Sequence, residues 1–180
     1  LVILQDGSAS MHVTDVKGDR WQRSMHFLRT LGEALRWEND RVAMALFAHM
    51  ATPQIRLTKD PNTYFFFLDH LAEKSPFRLE DDGTWDTNIE RGIYWGLRLI
   101  EKDEELRKIA AQSTKMPEAN NARAFVLVTD GQSWSGEVAK SLALAQGRSI
   151  PLSVVGVGTT AGGIIPDDVL DAILKEKTNE

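Results

Sequence analysis

Apolar positions along this chain fall into two alternating rhythms. Leu1-Val2-Ile3-Leu4 is a continuous apolar run that stops at Gln5-Asp6-Gly7, as a strand buried on both faces would. From residue 19 to 37, Trp21, Met25, Leu28, Leu31 and Leu35 recur at spacings of three and four, which predicts an amphipathic helix. Val42 to Met50 is apolar, with β-branched and aromatic residues, and predicts a second strand; residues 53–58 predict a third. Asp60-Pro61 then opens a helix, with Asp60 as N-cap and Pro61 in the first helical position. Phe65, Leu68 and Leu71 mark its inner face. Phe65-Phe66-Phe67 cannot all face one core, so one of them is expected to be exposed or to meet a neighbouring domain.

Residues 73–86 are polar, with Pro76 and Gly83, and predict a loop. Ile89, Ile93, Leu97 and Ile100 mark the next helix, which continues through the alternating charges of 101–108 as a solvated face. A polar connection over 112–122 leads to an apolar strand, Ala124 to Val128, ending at Asp130-Gly131. A helix over 136–146, a strand over 150–157 and a last helix over 167–175 follow. This alternation predicts an α/β fold, a doubly wound, mostly parallel sheet covered by helices in three layers. Ligands bind such sheets beyond the carboxyl ends of the strands, at the switch point. The segments after Leu4, Val128 and Val157 therefore carry the candidate chemistry.

Composition narrows the classes. The chain has 180 residues, 42% hydrophobic and 26% charged, so one ordinary core is expected. It has no cysteine, which removes disulfides, thiolate metal sites and cysteine nucleophiles. The net charge of -5 argues against a nucleic-acid surface. No apolar run approaches the roughly 20 residues of a membrane helix. The chain begins at Leu1, inside an apolar run, and reads as a domain excised from a longer protein.

After the first strand comes Asp6-Gly7-Ser8-Ala9-Ser10. In an extended or gently turning chain, residues two apart share a side, so Asp6, Ser8 and Ser10 are expected to converge above the sheet edge. A later strand brings Asp130 to that edge, and the loop before the third helix brings Thr87. Two carboxylates and three hydroxyls are hard oxygen ligands, suited to Mg2+, Mn2+ or Ca2+. Two carboxylates balance one divalent cation, and an octahedral ion keeps at least one position for an outside ligand. Taken singly, Asp-x-Ser is often an Asx turn, Thr87 a helix cap, and Asp130-Gly131 a turn. Their joint occurrence at these boundaries is what carries the reading.

Asp-x-Ser-x-Ser, then a Thr, then Asp-Gly after a later apolar strand resembles a von Willebrand factor type A (VWA) domain with a metal-ion-dependent adhesion site, over nearly the whole chain. Asp6, Ser8 and Ser10 match the first motif. Thr87, in Thr87-Asn88-Ile89-Glu90-Arg91-Gly92-Ile93, matches the second, with Thr84 as competitor, and Asp130 matches the third. Ser10-Met11, Thr14-Asp15-Val16, Phe47-Ala48, Leu57-Thr58-Lys59-Asp60 and Val155-Gly156-Val157-Gly158-Thr159 resemble bacterial Bat-type (aerotolerance) proteins. The resemblance implies a single VWA domain over 1–180, Rossmann-like, with one antiparallel edge strand. It implies a non-enzymatic protein-interaction module in which a partner's Asp or Glu completes the coordination of Mg2+, or of Mn2+ or Ca2+. It also implies tethering to the bacterial inner membrane, with the domain periplasmic rather than cytoplasmic. Partners would be a MoxR-type AAA+ ATPase or other VWA proteins. A metal-assisted hydrolase or phosphatase at the same site, or a structural domain with an empty site, are the alternatives.

Other signals are weaker. Gly156-x-Gly158-x-x-Ala161 imitates a dinucleotide fingerprint but lacks a following βαβ unit, so no nucleotide cofactor is expected. Gly131-Gln132-Ser133-Trp134-Ser135 imitates a nucleophile elbow, yet all four histidines precede Ser133. His26 and His70 read as surface or partly packed groups rather than ligands. Trp85, Trp134 and Ser133 lie on loops beside Thr87 and Asp130. The two tryptophans either cover loop backbone or, with Ser133, form a rim that contacts a partner.

Overall fold

A computed structural model describes residues 1–73, 87–114, 122–131 and 137–163. The first apolar run forms β1, Val2–Asp6, and every residue of it is buried. The predicted helix is α1, Arg20–Ala34, ending three residues before its periodicity suggests. Leu35 is already extended at φ -74° and ψ 146°. Trp37 folds back, and its indole N–H donates to the Gly32 carbonyl at 3.0 Å. That bond takes up a carbonyl the helix end leaves without an internal partner. Asp19 caps the other end, its carboxylate accepting from the Gln22 amide at 2.6 Å. Asp19→Ala is expected to cost about 1 kcal/mol in urea denaturation, the usual loss for such a cap.

The second apolar run is a strand and a turn rather than one strand. β2, Val42–Phe47, stops short of Met50 because the Ala48 amide turns back to the Met50 carbonyl at 2.7 Å. His49 and Met50 stand exposed at that tip, and β3, Ala51–Thr58, returns antiparallel to β2. α2, Pro61–Glu73, begins as predicted. The Asp60 carboxylate accepts from the Asn62 and Thr63 amides, and Phe66 is the exposed phenylalanine, at 70%. α3, Ile89–Thr114, runs past residue 108 into the expected polar connection. The ion pairs Arg98–Glu101 and Lys102–Glu105 lie along its solvated face. β4 is Phe125–Thr129, α4 is Val138–Gly147 and β5 is Leu152–Gly156. The predicted helix 167–175, and all of the predicted loop 73–86 but its first residue, lie outside the described residues.

The strands form one mixed sheet in the order β3-β2-β1-β4-β5, parallel except for the β2–β3 pair. β1 lies between β2 and β4, so the winding reverses beside it and opens a crevice at its carboxyl end. Alternate residues serve opposite layers. Leu4, Ala45, Phe47 and Leu127 meet Ile93 and Leu97 of α3. Ile3, Met44, Leu46 and Val128 meet Trp21, Met25 and Leu28 of α1 and Leu68 of α2. β1 and β2 are buried on both faces, as their continuous apolar runs predict. β5 departs from that expectation: it is the edge strand of the described sheet, and Val154 is 60% exposed.

Gly92 sets how closely α3 approaches this sheet. A Cβ there would lie 2.8 Å from Cδ1 of Phe47, a ring with no exposure. Only a residue without a side chain lets the start of α3, and the Thr87-Asn88 segment before it, settle over the end of β2.

Candidate metal centre

Asp6 is the last residue of β1, so its side chain emerges at the switch point on the α3 side, two residues beyond Leu4. It is fully buried. One carboxylate oxygen accepts from the Thr129 hydroxyl at 2.6 Å and the other from the Ser8 amide at 2.9 Å. Burial raises this carboxyl to about 6 from 3.8; the hydrogen bonds from Thr129 and Ser8 oppose the rise and the charge of Asp130 adds to it. A carboxylate buried this deeply is a charge short of a counter-ion.

The chain leaves β1 through Gly7, whose amide donates to the Phe47 carbonyl at 2.7 Å. Ala9–His12 then forms a single 3-10 turn anchored by the fully buried Met11. This turn brings the two serines together: Ser8 Oγ and Ser10 Oγ are 3.0 Å apart, and both residues are buried. The expected convergence of the two serines therefore occurs on a turning backbone.

Thr87 is 1% exposed. The amide of Asn88 donates to the Ala48 carbonyl at 2.9 Å, tying this segment to the β2–β3 turn at the same sheet edge. The α3 cap is Asn88, which accepts from the Arg91 amide at 3.0 Å. Asp130 follows β4, and Gly131 beyond it turns with φ 88°. Its carboxylate accepts from Arg20 Nη1 at 2.8 Å, with the two side chains 1% and 7% exposed. Trp85, Trp134, Ser133 and the competing Thr84 lie outside the described residues.

The donor set tests what could sit here. It is two carboxylates and three hydroxyls, without imidazole or sulfur, which suits a hard divalent cation. No cluster of three or more His, Cys, Asp or Glu side chains able to hold a metal occurs among the described residues.

The sequence pattern of the von Willebrand factor type A domain matches residues 1–180. The chain belongs to the von Willebrand factor type A family. The VWA chain is similar to an aerotolerance-related membrane protein from Bacteroides fragilis at 27% identity and a TM-score of 0.68, covering 93% of this chain and 71% of that one. It is similar to BatB from Bacteroides thetaiotaomicron at 28% identity and a TM-score of 0.69, covering 93% and 70%. It shares its fold with manganese-loaded TRAP from Plasmodium vivax at 18% identity and a TM-score of 0.59, covering 88% and 56%. No curated protein sequence matches it.

Three contributors to this VWA site escape sequence reasoning. Thr129 closes β4 and is read only as part of the stretch before Asp130-Gly131, yet its hydroxyl holds Asp6. Met50, 64% exposed, lies on the β2–β3 turn whose Ala48 carbonyl accepts from the amide of Asn88, next to Thr87. Arg20 is the first residue of α1, where the helix dipole disfavours a cation. That misplacement is a faint signal, and only the fold shows what the guanidinium meets.

Proposed function

We propose that this VWA domain is a divalent-metal-dependent protein-interaction module. Asp6, Ser8, Ser10, Thr87 and Asp130 are the residues that would hold Mg2+, Mn2+ or Ca2+, and a partner's Asp or Glu would complete the coordination. The observation that carries this reading is the buried Asp6 carboxylate beside two facing serine hydroxyls at the switch point. The bound ion would supply one positive centre, exposed to an incoming carboxylate. The chain's own part is to hold the oxygens: Thr129 and the Ser8 amide fix Asp6, and the 3-10 turn fixes the serines. Met50 on the adjacent turn would offer an apolar contact to the partner, with Trp85, Trp134 and Ser133 as the further rim.

We read the module as non-catalytic. Its described carboxylates are engaged, Asp6 by Thr129 and Ser8 and Asp130 by Arg20, and a metal-assisted hydrolase needs a base or nucleophile beside the ion. The similarity to Bat-type proteins supports a module tethered at the bacterial inner membrane, on the periplasmic side, with a MoxR-type AAA+ ATPase or another VWA protein as partner. No helix among the described residues is long and apolar enough to cross a membrane, so the tether would lie elsewhere in the protein. An anomalous map from Mn2+-soaked crystals is expected to show one peak among Asp6, Ser8 and Ser10. No peak there, or turnover of a phosphomonoester that disappears in Asp6→Ala, would overturn this reading.

A further inference from the structure

We propose that Arg20 is the positioning residue of the metal centre, a single guanidinium that holds the third-motif carboxylate and the first-motif loop in one geometry. This rests on the metal reading above. Arg20 uses its donors in three directions. Nε and Nη2 grip Asp15 in a two-pronged pair at 2.9 and 2.8 Å. Nη1 donates to Asp130 at 2.8 Å and lies 3.4 Å from the Ser10 carbonyl. Asp15 is fixed from behind, its Oδ2 accepting from both the amide and the hydroxyl of Thr159 at 2.9 Å. One side chain thus joins the Ser10 loop, the end of β4 and the segment after β5.

The surroundings are shaped to the guanidinium. Arg20 is 6% exposed, and a buried cation persists only with such partners. Gly158 has φ +133°, and a Cβ there would lie 3.0 Å from Nε. Lysine could not replace the fork, because one ammonium cannot hold a carboxylate with two prongs and reach a second. The charges also add up in a useful way. Asp15 neutralises Arg20, leaving Asp6 and Asp130 to balance a divalent cation. Arg20 therefore acts on Asp130 through direction rather than through net charge.

The sign of a single substitution separates these roles. Arg20→Met makes the centre more negative, so a purely electrostatic role predicts tighter cation binding and a positioning role predicts weaker. Mn2+ dissociation constants are measured by calorimetry, with Mn2+ electron paramagnetic resonance as second readout, on protein shown to be folded by circular dichroism. Removal of such supporting partners typically costs roughly 10- to 100-fold in metal affinity, and that loss is expected for both Arg20→Met and Arg20→Lys. Gly158→Ala, which alters no charge but crowds Nε, is expected to weaken binding several-fold and decides the matter with Arg20→Lys if Arg20→Met does not fold. Tighter or unchanged binding in Arg20→Met, or wild-type binding in Arg20→Lys, overturns the proposal. Wild-type protein that binds no Mn2+ overturns the metal reading itself, a separate failure.

Discussion

Asp6→Asn is expected to abolish divalent-cation binding while making the metal-free protein more stable than the wild type near neutral pH. The reason is the position of Asp6, which has no exposure and a carboxyl raised by burial to about 6 from 3.8. Well below pH 3.8 the carboxyl is protonated in both the folded and the unfolded chain, and there is no penalty. Between 3.8 and about 6 the unfolded chain releases its proton first, so this group's contribution to stability is lost as pH rises. Above about pH 6 the loss levels off at on the order of 3 kcal/mol. Asparagine carries no charge and escapes it, but leaves the Thr129 hydroxyl without its acceptor, a cost of about 1 kcal/mol. The net gain in the chelated variant is therefore about 1–2 kcal/mol at pH 8 and near zero or reversed at pH 4. A cation reverses the ranking, because it binds only the folded wild type: about 2.7 kcal/mol of stabilisation at roughly 100 times the dissociation constant. Urea denaturation of both proteins at about pH 4 and about pH 8, with chelator and with Mn2+, reads all four corners. Equal stabilisation of both proteins by Mn2+ would sink the assignment of Asp6.

The same residue shows how far the sequence could be read. Asp6, Ser8 and Ser10 were legible because a strand end and a spacing of two are local facts. The spacing fits an extended or a gently turning path alike, and a 3-10 turn brings the hydroxyls to 3.0 Å. Spacing does not distinguish those paths; the anchoring of Met11 in the core does, and that is a tertiary contact. Thr129 was hidden for the opposite reason. In β4 it reads as one more strand residue, and it becomes a donor to Asp6 because β1 and β4 run side by side from Val2–Phe125 to Gln5–Val128.

Element boundaries failed where packing overrode periodicity. Leu35 keeps the apolar spacing of α1 and still lies beyond its end, since it can pack against the core from an extended backbone while Trp37 covers the helix terminus. The run Val42–Met50 looked like one strand because alanine and methionine suit a strand and a hairpin tip alike. The turn at Ala48 is fixed by one backbone hydrogen bond, which has no composition of its own. β5 looked as buried as β1, yet burial depends on position in the sheet, and edge position follows from strand order rather than from hydrophobicity.

A second large effect is expected from Gly92→Val, a residue that touches no candidate ligand. The added Cβ would meet Phe47 at 2.8 and 3.0 Å, near the root of a ring that has no exposure and cannot swing away. Overfilling such a core costs about 1–3 kcal/mol, because either the ring or the helix must move. Phe47 is held by its place in β2, paired with Asp6 in the register, so the helix is the part that yields. Displacing the start of α3 strains the Asn88–Ala48 hydrogen bond and carries Thr87 with it. Mn2+ affinity is therefore expected to fall along with stability, by about tenfold if Thr87 shifts out of reach. Gly147→Ala is the control, since a methyl there meets no atom within 4 Å, and it should leave both quantities within about 0.5 kcal/mol of wild type. Urea midpoints and Mn2+ titrations on the three proteins decide it. If valine at 92 lowers the midpoint but leaves Mn2+ affinity intact, Thr87 is set by the β2–β3 turn alone and not by the depth of α3. If both fall together, the bare helix face at Gly92 belongs to the metal centre as much as the residues that face it.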